Sequence, residues 1–114
     1  MSECLFCRIV AGTIPAKIVY QDEHAVAFDD IHPQAPTHVL VIPRKHVAAV
    51  QDCGGRDQAM LGGLLQACVA VAKLKGLTER GYRIVSNTGG DAGQSVFHLH
   101  LHVLGGRSLA WPPG

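Results

Sequence analysis

Residues 98–102 read His98-Leu99-His100-Leu101-His102, a strict alternation of histidine and leucine. In a β-strand, successive side chains point to opposite faces, so the imidazoles would share one face and the leucines the other. A helix would scatter positions i, i+2 and i+4 around its axis. Phe97 and Val103 extend the apolar face, which predicts a strand over residues 96–104. Three imidazoles in a row indicate nucleophilic, acid–base or metal chemistry.

The composition is that of a globular chain of 114 residues, with 47% hydrophobic residues and a formal net charge of +1. This balance argues against a nucleic-acid-binding protein with a broad basic face. No apolar stretch approaches the ~20 residues of a membrane helix, and no signal peptide is recognised. The four cysteines are too few for a secreted disulfide framework. We therefore expect one domain over residues 1–114, in the cytoplasm, with neither a nucleic-acid nor a membrane partner.

The remaining pattern predicts two helices and four further strands. A short helix is expected over residues 4–11, with Leu5, Ile9 and Val10 as its apolar contacts. The one long helix, about residues 56–75, has the apolar stripe Leu61, Leu64, Leu65, Cys68 and Ala72. Strands are expected over residues 17–20, 25–29, 38–42 and 82–86, and His24 in the first turn is expected to be solvated. The pattern favours an α+β fold whose antiparallel sheet is covered on one face.

A polar, glycine-rich loop, residues 86–95, joins the fourth strand to the histidine strand. Glycines let the backbone approach a ligand, and consecutive N–H groups can form an anion-binding concavity. By glycine content alone, an ordinary hairpin connection explains the loop. Its position beside the histidines favours a phosphoryl or oxyanion site. It is not a Walker loop, because no Gly-Lys-Ser or Gly-Lys-Thr occurs.

Two further motifs suggest binding. Asp30 ends an apolar strand, where a carboxylate can accept both hydroxyls of a ribose; its neighbour Asp29 must point away and is expected to be solvated. Cys4 and Cys7 form a C-x-x-C pair, which readily supplies two thiolates to zinc, although a full site needs two more ligands. The alternative is two small apolar residues on a short buried helix.

Taken in order along the chain, these motifs resemble the histidine triad (HIT) proteins. The matching segments are Ile14–Lys17, Phe28–Ile31, Pro33–His38, Val41–His46 and Gly93–Leu104. The ending, Gly105-Gly106-Arg107 followed by Trp111-Pro112-Pro113-Gly114, is typical of the HINT branch, the nucleoside phosphoramidate hydrolases. The resemblance implies the HIT fold, a five-stranded antiparallel sheet with one long and one short helix, paired across a homodimer.

The resemblance also implies a reaction, the cleavage of the P–N bond of AMP-like purine nucleoside 5′-phosphoramidates. His100 would attack the α-phosphorus, forming a nucleotidyl–histidine intermediate that water hydrolyses. His102 would donate to the phosphate oxygens, and the backbone amides of Gly93–Ser95 would stabilise the developing charge. His38 would orient the nucleophile, and the Ser95 hydroxyl would contact the leaving group.

The implied substrate contacts extend beyond the histidines. Ile31 and neighbouring apolar side chains would sandwich the base, and Trp111 would reach the cleft of the partner subunit. The complete implied set is Asp30, Ile31, Asn87, Gly93, Gln94, Ser95, Val96, His100, His102 and Trp111.

For the cysteine pair, the resemblance implies a particular ligand set. Some relatives complete such a zinc site with a histidine after the third strand and with the first histidine of the triad, which here gives Cys4, Cys7, His46 and His98. A zinc ion there would be structural and would leave His98 a supporting role in catalysis. Whether zinc binds stays open, because other members of the branch lack the pair. No cofactor is expected for catalysis itself.

Three alternatives remain. A HIT protein that cleaves dinucleoside polyphosphates would use the same histidine with a different leaving group; the C-terminal segment favours the phosphoramidate branch, although relatives vary at Ser108–Ala110. A nucleotide-binding adaptor module would need no turnover. Direct zinc ligation by the three histidines in a hydrolytic enzyme would leave Asp30, the glycine loop and the tail unexplained.

Overall fold

The computed structural model describes residues 3–114, which form five strands and two α-helices. In chain order these are α1 (Leu5–Ala11), β1 (Ile18–Gln21), β2 (Ala25–Asp29), β3 (Thr37–Pro43), α2 (Gln58–Leu74), β4 (Tyr82–Val85) and β5 (Leu101–Gly105). The strands make one antiparallel sheet in the order β1-β2-β3-β5-β4. The predicted α+β class, with one long and one short helix, is confirmed. Within the described residues, no helix is long and apolar enough to cross a membrane.

Helix α2 covers one face of the sheet. Its buried side chains recur at helical spacing and are Met60, Leu64, Ala67, Cys68, Val71 and Ala72. They pack on the alternate strand residues Ala25, Ala27, Val39, Val41, Leu101 and Val103. Leu65, which we expected in this stripe, is 52% exposed. The reason is geometric, because a helix turns about 100° per residue and Leu64 already faces the sheet.

Helix α1 packs on the opposite face of the sheet, which the prediction of a sheet covered on one face did not include. Phe6 and Ile9 are its buried residues, whereas Leu5, an expected contact, is half exposed. They pack on Val26, Phe28, Leu40 and Ile42. The Sγ atom of Cys4 accepts the Cys7 N–H at the start of the helix (3.5 Å). With only seven residues, α1 covers part of this face.

Strand β5 is shorter than predicted. Residues 96–98 form bends and residues 99–100 have no regular structure, and the Leu99 N–H donates to the Val47 carbonyl (2.7 Å) rather than to a neighbouring strand. Phe97, expected in the core, is 61% exposed. The other core predictions for this segment are confirmed, since Leu99, Leu101 and Val103 are buried against α2. The alternating burial therefore continues through residues that lie outside the strand.

The β1–β2 turn touches α2 at one point. His24, predicted to be solvated, is half buried against Gly63 of α2. A Cβ atom at position 63 would lie 2.6 Å from the His24 ring, so the close approach requires glycine.

Candidate active site

A cavity of about 1300 Å³ opens on the α1 side of the sheet, where the short helix leaves the strands uncovered. Its apolar wall is formed by side chains that include Phe6, Ile9, Ile14, Phe28 and Leu40. Its polar end holds Asp30, His38, Ser95, His100 and His102, together with Gly93 and Val96. Sequence reasoning expected apolar side chains near Ile31 around the base but did not identify the residues of this wall. Its residues carry the same periodicity as core residues, so no local signal separates the two.

His100 is held with one ring nitrogen turned inward. Its Nδ1 lies 2.7 Å from the carbonyl oxygen of His98, which can only accept a hydrogen bond. In the neutral ring the proton therefore sits on Nδ1, and Nε2 keeps its lone pair. Phe6 contacts the His100 ring edge-on, with 5.2 Å between centroids. The ring is buried yet lines the cavity, so its nucleophilic nitrogen is held in one orientation.

His38 and His102 form a second pair, across β3 and β5. The Nε2 of His38 lies 2.8 Å from the Nδ1 of His102. The backbone N–H of Gln34 donates to the other nitrogen of His38, Nδ1 (3.0 Å). An oxygen of Asp30 lies 3.4 Å from the His38 Nε2. Two residues from the segment between β2 and β3, Asp30 and Gln34, thus contact this histidine pair at His38.

Both imidazoles of this pair are neutral at neutral pH. Burial, together with the neighbouring His100 and His38, lowers the pKa of His102 to about 4, whereas Asp30 opposes the shift. Burial also lowers the pKa of His38 against the opposing charge of Asp30. The Nε2 atom of His102 is buried and has no hydrogen-bond partner within residues 3–114. This atom belongs to a ring on the cavity wall, which makes it available to a ligand.

Three amides of the glycine loop, those of Gly89, Gly93 and Gln94, donate hydrogen bonds within the loop. The N–H of Gly93 donates to Gly90, and the N–H of Gln94 donates to Gly89. The Gln94 side chain is buried and bonds to Gly89 and to the carbonyls of Ala48 and Val96. Of the three predicted anion-binding amides, that of Ser95 alone donates no hydrogen bond within the part of the chain that is described.

Asp30 and Asp29 diverge, as expected of neighbours at a strand end. One oxygen of Asp30 accepts the His32 N–H (2.8 Å), and the other faces His38. The Asp29 carboxylate pairs with the Lys75 ammonium (3.3 Å), so it is not simply solvated.

The remaining predicted substrate contacts lie at or beyond the rim. Ile31 lines the cavity and is 85% exposed, and the Val96 side of the loop faces it. In the described chain, Asn87, Gln94 and Trp111 do not line this cavity. Trp111 is 81% exposed.

The four predicted zinc ligands converge where α1 meets the sheet, with all ligand atoms within 4.8 Å of one another. The Nδ1 atoms of His46 and His98 are 3.1 Å apart. Their distances to thiol sulfurs are 3.3 Å for His46 to Cys7 and 3.4 Å for His98 to Cys4. The Nε2 of His98 donates to the Pro43 carbonyl (3.0 Å), which leaves the Nδ1 lone pair facing the sulfurs.

These spacings fit a tetrahedral metal. Bonds of about 2.3 Å to sulfur and about 2.0 Å to nitrogen place tetrahedral ligand atoms roughly 3.3–3.8 Å apart. The sulfur–nitrogen distances fall in this range and the nitrogen–nitrogen distance is slightly shorter. Burial lowers the pKa of His98, which keeps the imidazole in the neutral form that a metal requires.

Comparison with known proteins gives consistent matches over nearly the whole chain. A family model described as "HIT domain" matches residues 11–109. An uncharacterized HIT-like protein of Synechococcus elongatus is 54% identical, with both chains covered completely. Among solved structures, a HIT family hydrolase from Legionella pneumophila superposes with a TM-score of 0.95 and 49% identity, covering 98% of this chain and 100% of that one. A HIT family hydrolase from Clostridium thermocellum has a TM-score of 0.93 and 42% identity, covering 96% of each chain.

Proposed function

The chain belongs to the HIT domain family, and from this membership and the site geometry we propose that it is a nucleoside phosphoramidase of the HINT branch. Its substrates would be AMP-like purine nucleoside 5′-phosphoramidates, and the P–N bond would be cleaved. One observation carries the proposal: the His100 ring presents an unprotonated Nε2 at the polar end of a large apolar cavity. The C-terminal segment, which resembles the phosphoramidate hydrolases, supports the choice of leaving group.

In the first step, the Nε2 lone pair of His100 attacks the α-phosphorus. The P–N bond breaks, its electron pair leaves with the nitrogen, and that nitrogen takes up a proton. Ser95 lies on the cavity wall, where its hydroxyl can relay this proton from solvent. In the second step, water attacks phosphorus, its proton is released, and the phosphorus–imidazole bond breaks. The products are a nucleoside monophosphate and a neutral His100.

Charge that develops on the phosphoryl oxygens needs donors that are already in place. We assign this role to the His102 Nε2, which is buried and without a hydrogen-bond partner in residues 3–114. The Ser95 amide is the second donor, because the N–H groups of Gly93 and Gln94 already donate to carbonyls within the loop. Gln94 therefore contributes by holding the loop in shape.

Substrate recognition divides between the two ends of the cavity. The apolar wall, including Phe6 and Phe28, suits a purine base, and an apolar surface contacts the base without reading its edges. Asp30 lies between this wall and the histidines, where its carboxylate can accept ribose hydroxyls.

We propose that the cluster of Cys4, Cys7, His46 and His98 holds a structural zinc ion and that catalysis needs no metal. A metal on the catalytic side would have to use Asp30, His38 and His102, whose ligand atoms also lie close together. The nitrogens of those two histidines are 2.8 Å apart, a hydrogen-bond distance shorter than the roughly 3.3 Å between nitrogens on one tetrahedral metal. The geometry therefore favours a hydrogen bond there.

We also propose a cytoplasmic homodimer that uses α2 and β4. Strand β4 is an edge of the sheet, and Ile84 on it and Leu65 on α2 are exposed apolar residues. A symmetric contact would cover both and would bring Trp111 toward the partner's cleft. The cytoplasmic location is supported by the cysteines, none of which forms a disulfide.

The test of the function is hydrolysis of adenosine 5′-phosphoramidate by the wild type and by His100→Gly, each assayed before and after chelator treatment. We expect wild-type AMP release that survives the chelator and is lost in the variant, with partial rescue by added imidazole. Faster cleavage of diadenosine tetraphosphate would favour the dinucleoside polyphosphate hydrolase instead. Tight AMP binding without turnover would favour an adaptor module.

A further inference from the structure

The starting observation is a directional chain of hydrogen bonds that ends at His102. A backbone N–H can only donate, so the bond from Gln34 makes the His38 Nδ1 an acceptor. The neutral His38 ring then carries its proton on Nε2, which points at the His102 Nδ1 (2.8 Å). His102 accepts there and must carry its own proton on Nε2. One backbone amide thus makes His102 a donor on its buried, unpartnered side.

The Gln34 amide lies in the loop between β2 and β3, which has no regular structure of its own. Arg107 holds this loop from outside. Its Nε and Nη2 both donate to the Gln34 carbonyl (3.3 and 3.0 Å), and its Nη1 donates to the Ser108 carbonyl (2.9 Å). The preceding Gly106 has φ 90°, and a Cβ there would lie 2.8 Å from Pro36, so the end of β5 passes close to the loop.

Arg107 also lines a shallow surface pocket with Arg80 and Arg83, which raises the alternative of an anion site. All three nitrogens of the Arg107 guanidinium already donate to backbone carbonyls. Arg83 likewise donates to the Ala110 carbonyl (2.9 Å). The hydrogen-bonding pattern is that of a residue that holds backbone in place.

We propose that Arg107 is a positioning residue for the catalytic histidines, acting through the Gln34 carbonyl to hold the Gln34 amide on His38 and so keep the His102 proton on Nε2. Arg107 contacts neither the cavity nor the reacting atoms. The expected effect of Arg107 on turnover rests on the proposed function, since a donor at His102 is useful only if phosphoryl charge develops there. Its structural consequence, the tautomer of His102, does not rest on any substrate.

The first measurement is therefore made without substrate. Two-bond ¹H–¹⁵N correlation spectra of the imidazole nitrogens distinguish the two neutral tautomers of His38 and His102. In the wild type at pH 7.5 we expect a single tautomer, Nε2–H, for both rings. Arg107→Ala should give a mixture at both rings, and Arg107→Lys, which can still donate to one carbonyl, should give an intermediate result.

The matched control is Arg44→Ala. Arg44 is also exposed and follows the end of a strand, and its Nε donates to a loop carbonyl, that of Asp22 (2.8 Å). Within residues 3–114, this loop is not hydrogen-bonded to His38 or His102. Its spectrum should match the wild type. A second variant, Gln34→Pro, removes the amide donor while leaving Arg107 in place and should give the same mixture of tautomers. Circular dichroism and melting curves identify any variant that does not fold.

The second measurement is turnover. We expect Arg107→Ala to lower kcat about 10-fold with little change in KM, because a donor to the transition state is weakened and substrate binding is not. Pure Nε2–H His102 in folded Arg107→Ala or Gln34→Pro would overturn the inference, whatever the activity. A wild type that shows the tautomers but no phosphoramidate turnover would instead overturn the proposed function alone.

Discussion

At the scale of single residues, the three histidines of one short motif have three different environments. His98 is fully buried, with Nε2 bonded to a backbone carbonyl and Nδ1 facing two sulfurs. His100 is fixed with Nε2 unprotonated, and His102 is fixed as a donor by His38. His100 carries its proton on Nδ1, whereas His98 and His102 carry theirs on Nε2. The protonated nitrogen thus distinguishes the proposed nucleophile, and the groups around the two other rings distinguish a proposed metal ligand from a hydrogen-bond donor.

The low pKa of His102 makes stability depend on pH. The ring takes up a proton near pH 6.5 when the chain is unfolded but only near pH 4 when it is folded. The unfolded state binds more protons between these values. The contribution of His102 to the free energy of unfolding is therefore complete above pH 6.5 and is lost as the pH falls toward 4. After allowance for solvent screening of a partly exposed ring, we expect a loss on the order of 1–2 kcal/mol.

Urea denaturation of chelator-treated protein at pH 7.5 and pH 4.5 measures this effect. His102→Asn should lose less stability on acidification than the wild type. His32→Asn, at an exposed histidine, should follow the wild type. Equal acid sensitivity of the wild type and His102→Asn would contradict the expectation.

Asp30 gives a second prediction, on ribose recognition. Asp30→Asn should lower kcat/KM for adenosine 5′-phosphoramidate by about 10- to 100-fold, since hydrogen bonds to charged groups contribute about 1.5–3 kcal/mol. With the 2′,3′-dideoxy analogue, which lacks both ribose hydroxyls, Asp30→Asn and the wild type should have nearly the same kcat/KM. Asp29→Asn is the control, because that carboxylate pairs with Lys75 and should change kcat/KM by less than about threefold. Equal losses for both substrates in Asp30→Asn would assign Asp30 to the orientation of His38 instead.

At the scale of elements, α1 is too short to be stable by itself. A seven-residue helix is marginal in water, so its position depends on Phe6 and Ile9 and on the cluster formed with His46 and His98. The same helix supplies Phe6 to the wall of the cavity and to the edge of the His100 ring. A metal at the cluster would therefore stabilise one wall of the site.

We predict that the purified protein contains about one zinc per chain and that a chelator lowers its melting temperature. The expected decrease is at least about 5 °C, which corresponds to roughly 1 kcal/mol in a domain of this size. Cys7→Ser should lose the metal and melt at the lower temperature without chelator. Cys53→Ser should keep the metal, because Cys53 is not part of the cluster. Elemental analysis that finds no metal, with a melting temperature insensitive to chelator, would exclude the zinc site.

At the scale of the whole molecule, the two faces of the sheet have separate roles, one in the core and one in the cavity. The α2 face buries the larger core, and the α1 face is left partly open as the cavity. The edge strand β4 and the outer side of α2 carry exposed apolar residues that belong neither to the core nor to the cavity. Such an edge is a natural surface for pairing with a second copy.

Light scattering after size exclusion should therefore give twice the chain mass of 12.1 kDa. The double variant Leu65→Lys, Ile84→Lys should be monomeric, because it places charge on both exposed positions. Val50→Lys is the control, at an exposed apolar residue in the 3-10 turn before α2. A wild-type monomer at micromolar concentration would contradict the dimer and the placement of Trp111 in the partner's cleft.

By itself the sequence determined the kind of each element and indicated the polar residues that line the cavity. Periodicities of two and about 3.6 are local properties, so strands, helices and most core residues could be read from them, and the H-L-H-L-H and C-x-x-C motifs indicated the chemistry. Leu5, Leu65 and Phe97, which were expected to be buried, are exposed because the apolar pattern continues past the surface that is buried.

Only the tertiary structure decided which nitrogen of each imidazole carries its proton and which wall becomes a cavity. The tautomers are set by partners far away in the chain, such as Gln34 for His38 and His38 for His102. The cavity exists because α1 ends before it covers the sheet, and a residue such as Phe28 has the same local pattern whether it faces a helix or an opening. Both depend on contacts between separate segments, and local periodicity does not encode them.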